Sequence, residues 1–181
     1  GRGAEAAEDA WIAEGCGQLT VQVEQAVGLA GSAATSPYML LHWQGAVGRT
    51  SKRSQTLSPA WNPAASFDFV CHEPPGFLYV AVLDDADGDL VLGLARLELS
   101  ALPTDQSYQG WIPLKSARVL SGLRVPQTKD LRFSLIDGVP RLGELPLCLL
   151  DWNARSSPSG AVNLEVHLRT HTRGGGSSLR A

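Results

Sequence analysis

Apolar and polar residues alternate with a period of two along much of this 181-residue chain. Leu19, Val21 and Val23 interleave with Thr20, Gln22 and Glu24, the pattern of a strand with one face in a core and the other in water. Further strand-like runs occupy Pro37–Trp43, 48–55, the Phe67-Asp68-Phe69 triplet, 77–83, 91–99 and 108–114. A last one, 161–169, places Val162, Leu164, Val166 and Leu168 on one face. Turn formers separate these runs: the small residues of 28–35, Gln44-Gly45, the Ser58-Pro59 and Asn62-Pro63 pairs around Trp61, Glu73-Pro74-Pro75-Gly76, and the acidic loop 84–89. Strands about every ten residues with turns between them predict an all-β fold, an antiparallel β-sandwich.

The segment 116–160 breaks this rhythm and is too long for a plain hairpin loop. Within it Leu131, Phe133 and Leu135 alternate, and 145–152 is strongly apolar. Extra strands, a loop packed over the sandwich and a partner-binding flap all fit that pattern. Residues 1–16 are rich in Ala and Glu and read as a linker or a short helix, 17–171 as the folded domain, and the Gly/Ser-rich 172–181 as a flexible tail.

Composition narrows the classes. With 44% hydrophobic and 18% charged residues the chain is neither a disordered polar tract nor a coiled coil, and Gly 19 with Pro 11 punctuates it too often for a long-helix bundle. The net charge of −3 argues against bulk attraction to nucleic acid, which is not expected as a partner, or to anionic lipid. Glu5, Glu8, Asp9 and Glu14 against Arg2 account for all of it, so the remainder is balanced and any lipid contact needs a local basic patch. The longest apolar runs, 77–83 and 90–94, fall short of the ~20 residues that span a bilayer. Cys16, Cys71 and Cys148 are odd in number, widely spaced and outside any metal-binding pattern, which predicts free thiols in a reducing, cytoplasmic setting. No Gly-x-Ser-x-Gly elbow or phosphate-binding loop is present, Cys71 and His72 point to opposite faces of a strand, and His167 and His171 stand too far apart to chelate one metal. No catalytic residues and no enzyme are expected.

Gly17-Gln-Leu-Thr-Val-Gln-Val, Leu29, Ser36-Pro37-Tyr38 and 56–62 (Thr-Leu-Ser-Pro-Ala-Trp-Asn) are followed by Phe67-Asp68-Phe69, 78–84 (Leu-Tyr-Val-Ala-Val-Leu-Asp), Leu92-Gly93 and Trp111-Ile-Pro-Leu114. In this order, over 17–115 plus 160–170, the chain resembles the C2 domain of synaptotagmins, extended synaptotagmins and protein kinases C. The resemblance implies an eight-stranded antiparallel β-sandwich. The opening segment starts the domain and 160–169 ends it, which looks like the circularly permuted type II topology with a long insertion before the last strand.

The resemblance also implies two modes of binding. In the first, carboxylates from loops at one end of the sandwich gather Ca²⁺, which needs six to eight oxygens and bridges to lipid phosphate. Here the first loop, 30–36, has no carboxylate, and Ser36 stands where an Asp is expected before Pro-Tyr. In the other loop Asp84 matches, Ala86 falls on the second acidic position, and Asp87 and Asp89 are the candidate substitutes, so no cofactor is expected beyond weak calcium at Asp84, Asp87 and Asp89. A solvated turn bent at Gly88 is the plainer reading of the same residues. The second mode is calcium-independent binding of anionic head groups by a basic strand face, for which Arg49, Lys52 and Arg53 lie in the matching region. On an extended strand Arg49 and Arg53 share a face about 13 Å apart at ~3.3 Å per residue, with Lys52 opposite. At ~1 kcal/mol per basic residue such a patch is thin, and ordinary surface charge explains it as well. The expectation is a non-catalytic, calcium-independent module making protein–protein or scaffolding contacts in a membrane-associated or trafficking protein. The alternative is a peripheral membrane module binding anionic phospholipid.

Overall fold

The computed structural model describes residues 17–122 and 131–170, so the segments read as linker or helix and as tail lie outside it. Strands β1 (Gly17–Val27), β2 (Pro37–Trp43), β3 (Ala46–Arg49), β4 (Ala60–Cys71), β5 (Phe77–Asp84), β6 (Leu90–Glu98) and β7 (Ser107–Pro113) follow one another. The short helix α1 (Ala117–Ser121) and the small strands β8 (Phe133–Ile136), β9 (Val139–Leu142) and β10 (Leu145–Pro146) precede the last strand, β11 (Ala161–Thr170). Two four-stranded sheets, in the orders β4-β1-β11-β7 and β3-β2-β5-β6, form the sandwich, and β10-β9-β8 form a third within the insertion. The strands pair antiparallel throughout. The eight-stranded all-β sandwich is thus present. β11 sits between β1 and β7, the permuted order that the sequence suggested.

The period-two pattern accounts for the core. Leu19, Val21 and Val23 of β1 stand opposite Leu168, Val166 and Leu164 of β11, and all six are buried. The register then shifts between Val23 and Gln25, so one extra residue bulges from β1 and resets its phase. After the bulge Ala26 points inward, paired with Val162.

All seven residues of β2 are buried, which alternation alone does not produce. Met39, Leu41 and Trp43 fill the space between the two sheets, while Tyr38 and Leu40 belong to a second cluster on the opposite face. There they join Ala81, Leu83, Val91 and Leu94, and the insertion closes over them with Leu120, Leu131, Leu142, Leu147, Leu150 and Trp152. The insertion is therefore a third layer, and a sheet covered on both faces reads as near-continuous apolar sequence. Its hairpin turns on Asp137 and Gly138, both left-handed at φ 52° and 75°. His42 Nε2 reaches the Gly138 carbonyl at 3.1 Å and pins the hairpin tip to β2.

Two elements differ from expectation. The strand expected over 48–55 stops at Arg49. Thr50 closes the ladder by donating its N–H to the Met39 carbonyl and accepting the Met39 N–H on Oγ1, each at 2.9 Å, and Gln55 is left-handed at φ 53°. Conversely, the turn-rich crossing around Trp61 lies within β4. Pro63 is tolerated there because β4 is an edge strand, where a missing N–H costs no ladder bond on the open side.

Candidate functional site

The loops at one end of the sandwich hold the acidic residues. Asp84, the last residue of β5, is buried, and its Oδ1 accepts the N–H of Ser36 from the first loop and of Ala86 from its own, both at 3.0 Å. The chain then makes one tight turn over Asp85–Asp87 and leaves it through Gly88 at φ 55°, ψ 44° and Asp89 at φ 61°. A carboxylate capping its own turn while bonding a neighbouring loop ties the two loops into one unit.

Each further acid of the loop is turned to its own partner. Asp85 pairs with Lys52 at 3.0 Å. Asp89 Oδ1 accepts the Tyr38 hydroxyl at 2.7 Å. Burial first, and then this bond to a carboxylate, push the Tyr38 phenol well above its ordinary pKa. Asp87 faces Arg132 of the insertion, whose guanidinium donates to the Gly88 carbonyl at 2.8 Å, to the Asp87 carbonyl, and at 3.5 Å to Asp87 Oδ1. A resident cation thus lies against the turn. Among the described residues no three His, Cys, Asp or Glu side chains gather as metal ligands. Asp84, Asp87 and Asp89 share a loop but point at Ser36 and Ala86, at Arg132 and at Tyr38, a donor set that does not fit the six to eight oxygens Ca²⁺ takes. Ser36 supplies its N–H to Asp84, and its hydroxyl accepts the Gln55 N–H at 3.2 Å. Beside the turn lies a cleft of about 470 Å³ whose polar lining includes Ser32, Thr35, Asp87 and Arg118.

The sequence and fold comparisons agree with this framework. The C2 domain family model matches residues 17–114. The chain belongs to the C2 domain family. A C2 domain of plant Extended Synaptotagmin 1 superposes with a TM-score of 0.57 at 16% identity, over 85% of this chain and 95% of that one. The tandem C2 domains of Extended-Synaptotagmin 2 give 0.54 at 17%, over 84% of this chain and 39% of that one. Human GIVD cytosolic phospholipase A2 gives 0.52 at 17%, over 84% of this chain but 15% of that one, which is its C2 domain. At such identities the likeness is one of fold. No curated protein matches the chain in sequence. C2 domains are typically non-catalytic modules that bind membrane lipid, often under calcium regulation.

Arg49, Lys52 and Arg53 of this C2 domain are not arrayed along one strand. Arg49 ends β3 with its guanidinium 5.0 Å from the centre of the Tyr38 ring. Lys52 and Arg53 lie beyond it: Lys52 turns to Asp85, and Arg53 stacks 5.8 Å from the Trp61 ring while bonding the Ala60 carbonyl at 2.8 Å and Ser51 Oγ at 3.1 Å. Arg49 and Lys52, expected on opposite faces, share a recess of about 150 Å³ with Tyr38 and Asp85. The reason is the early end of β3, after which two-residue periodicity no longer orients the chain. Sequence reasoning missed Arg132 and the two-residue turn at Asp137-Gly138. The second had a signal, Asp-Gly flanked by alternating apolar residues. For Arg132 nothing local announces that it reaches back to a turn more than forty residues earlier.

Proposed function

We propose that this C2 domain is a calcium-independent interaction module that makes protein contacts, within a cytoplasmic, membrane-associated or trafficking protein. The observation that carries this reading is Asp84: the one acid matching a family ligand spends Oδ1 on two main-chain N–H groups of adjoining loops. Of the remaining acids of the turn, Asp85 and Asp87 pair with Lys52 and Arg132 and Asp89 accepts the Tyr38 hydroxyl, so each is already engaged by the protein itself. The insertion supports the protein-contact part. It buries the outer face of the β3-β2-β5-β6 sheet and presents Leu135, Ile136 and Leu149, which are 42%, 50% and 66% exposed.

A second reading, a peripheral membrane module for anionic phospholipid, is favoured by the recess that Arg49 and Lys52 share. Co-sedimentation with phosphatidylserine vesicles, with and without calcium, separates the two. The protein-contact reading expects little sedimentation in either condition and no heat in a calorimetric calcium titration. Sedimentation lost when Arg49, Lys52 and Arg53 are changed to Gln overturns it in favour of the membrane, and micromolar calcium binding lost in Asp84→Asn overturns calcium independence.

A further inference from the structure

Of the four terminal strands of the two sheets, β6 and β7 meet at one seam. They are tied where Leu94 N–H donates to the Lys115 carbonyl at 2.9 Å and Lys115 N–H to the Leu94 carbonyl at 2.7 Å. Beside that tie lies a cavity of about 270 Å³ lined by Ala95, Arg96, Ile112, Pro113, Lys115 and Trp152.

Its charge is one-sided: among the described residues two cations line it and no carboxylate does. Arg96 is held between rings, its guanidinium carbon 4.4 Å from the centre of Phe77 and 5.3 Å from that of Trp152. Stacking uses the faces of a guanidinium; part of the Arg96 N–H edge is turned to the Tyr79 hydroxyl, and the remaining donors of its five suit a planar anion. The ion pairs among the described residues are Lys52–Asp85 and Arg132–Asp87, so neither Arg96 nor Lys115 is neutralised by an acid there. Glu98, next but one along β6, instead accepts the Ser100 hydroxyl at 3.3 Å. Lys115 gives one of its three N–H donors to the Trp152 carbonyl. The Trp152 indole N–H is taken by the Leu147 carbonyl at 2.7 Å, so the indole offers the cavity an apolar wall.

A fixed guanidinium costs little entropy to engage, and a terminal strand beside it has one side with no strand neighbour in its sheet. The outer edge of β6 is already taken at Leu90 by Arg132, at Leu92 by the Ser159 hydroxyl and at Leu94 by Lys115, which leaves β7. We infer that this seam receives an extended acidic peptide of a partner protein, with a carboxylate on Arg96 and Lys115 and the peptide backbone along the outer edge of β7. Peptides added to sheet edges take affinity from main-chain bonds and specificity from adjacent pockets. The inference rests on the protein-contact reading above and names the chemistry of the partner. It uses a flank of the sandwich rather than the loop end, and it depends on Trp152, which the insertion supplies.

The test is an amide NMR titration of the isotope-labelled chain with the peptide Ac-Glu-Val-Glu-Val-Glu-NH₂, beside its Gln-for-Glu counterpart. Saturable shifts along β6 and β7 with the acidic peptide, none with the Gln peptide, and roughly tenfold or greater weakening in Lys115→Gln and in Arg96→Gln are expected, since each charge-assisted bond is worth more than a factor of ten. Because Arg96→Gln also disturbs the aromatic stack, Lys115→Gln, checked for an unchanged spectrum, carries the result. Absent shifts, shifts centred on Arg49 and Lys52, or affinity indifferent to Lys115→Gln overturn the site and leave the calcium-independent protein contact standing. Displacement of the peptide by phosphatidylserine vesicles overturns both, assigning the cations to a lipid surface.

Discussion

Replacing Asp84 separates a structural staple from a metal ligand. The carboxylate is 6% exposed, and its Oδ1 accepts two main-chain N–H groups at 3.0 Å, one from each loop. In Asp84→Ala both donors lose an ionised acceptor in a buried place, and at about 1.5–3 kcal/mol for each hydrogen bond to a charged group the loss is roughly 3–6 kcal/mol. For a domain of this size one kcal/mol moves the melting midpoint by about 2–4 °C, so the variant should melt at least about 6 °C and up to roughly 20 °C earlier. Asp84→Asn keeps an oxygen where Oδ1 stands and loses only the charge, which should cost about 1 kcal/mol and a few degrees. The assay is thermal unfolding followed by circular dichroism, with urea unfolding at fixed temperature as the check on two-state behaviour. Millimolar calcium chloride should leave the wild-type midpoint where it is. The reasoning fails if Ala and Asn cost the same, if neither moves the midpoint, or if calcium raises the wild-type midpoint by several degrees and Asp84→Asn abolishes that gain.

Four further substitutions probe other parts of the structure. Arg132→Ala should leave global stability almost unchanged, because its pair with Asp87 is exposed, while amide exchange at residues 85–89 speeds up. Trp152→Ala should cost about 3–5 kcal/mol in urea unfolding and loosen the insertion, since the side chain is 6% exposed in the second cluster. Gly93→Ala should cost about 1–3 kcal/mol by the same measurement, because the added methyl would stand 2.9 Å from Leu114 Cβ. The pH dependence should report His42, whose pKa is held below its ordinary value mainly by burial, against the pull of its Nε2 bond to the Gly138 carbonyl. The unfolded chain then binds a proton that the folded one refuses, so this contribution is complete above about pH 6.5 and is lost as pH falls below it. The urea midpoint should therefore drop more steeply from pH 7 to 5 in the wild type than in His42→Gln, and equal slopes would refute the assignment.

The sandwich was legible because strands with one wet face write their orientation into the sequence. Leu19, Val21 and Val23 and their partners Leu164, Val166 and Leu168 can be read as core without knowing that they meet. The insertion was only half legible. Its apolar residues announced burial, but whether they packed on the sandwich or on a partner depends on the outer face of β2 and β5, where Tyr38, Leu40, Ala81 and Leu83 await them. The missing carboxylate at Ser36 could be read directly. The engagement of the remaining acids could not, because the partners Tyr38, Lys52 and Arg132 come from three separate stretches of chain. The basic cluster was misplaced by a local event, a threonine side chain closing a ladder, after which an extended-strand ruler no longer applies.

The place of β11 has a consequence for biosynthesis. It lies between β1 and β7, and among the described residues β7 has no other neighbour in its sheet. Gly17 cannot find Thr170 until nearly the whole described chain has been translated, so the first sheet waits for its centre while β1 keeps an unpaired, apolar edge. Such late, long-range closure slows folding and prolongs exposure of sticky surface. A nascent chain stalled before Ala161 would be a natural client for a chaperone, and a C-terminal truncation that removes β11 would undo the domain rather than trim it.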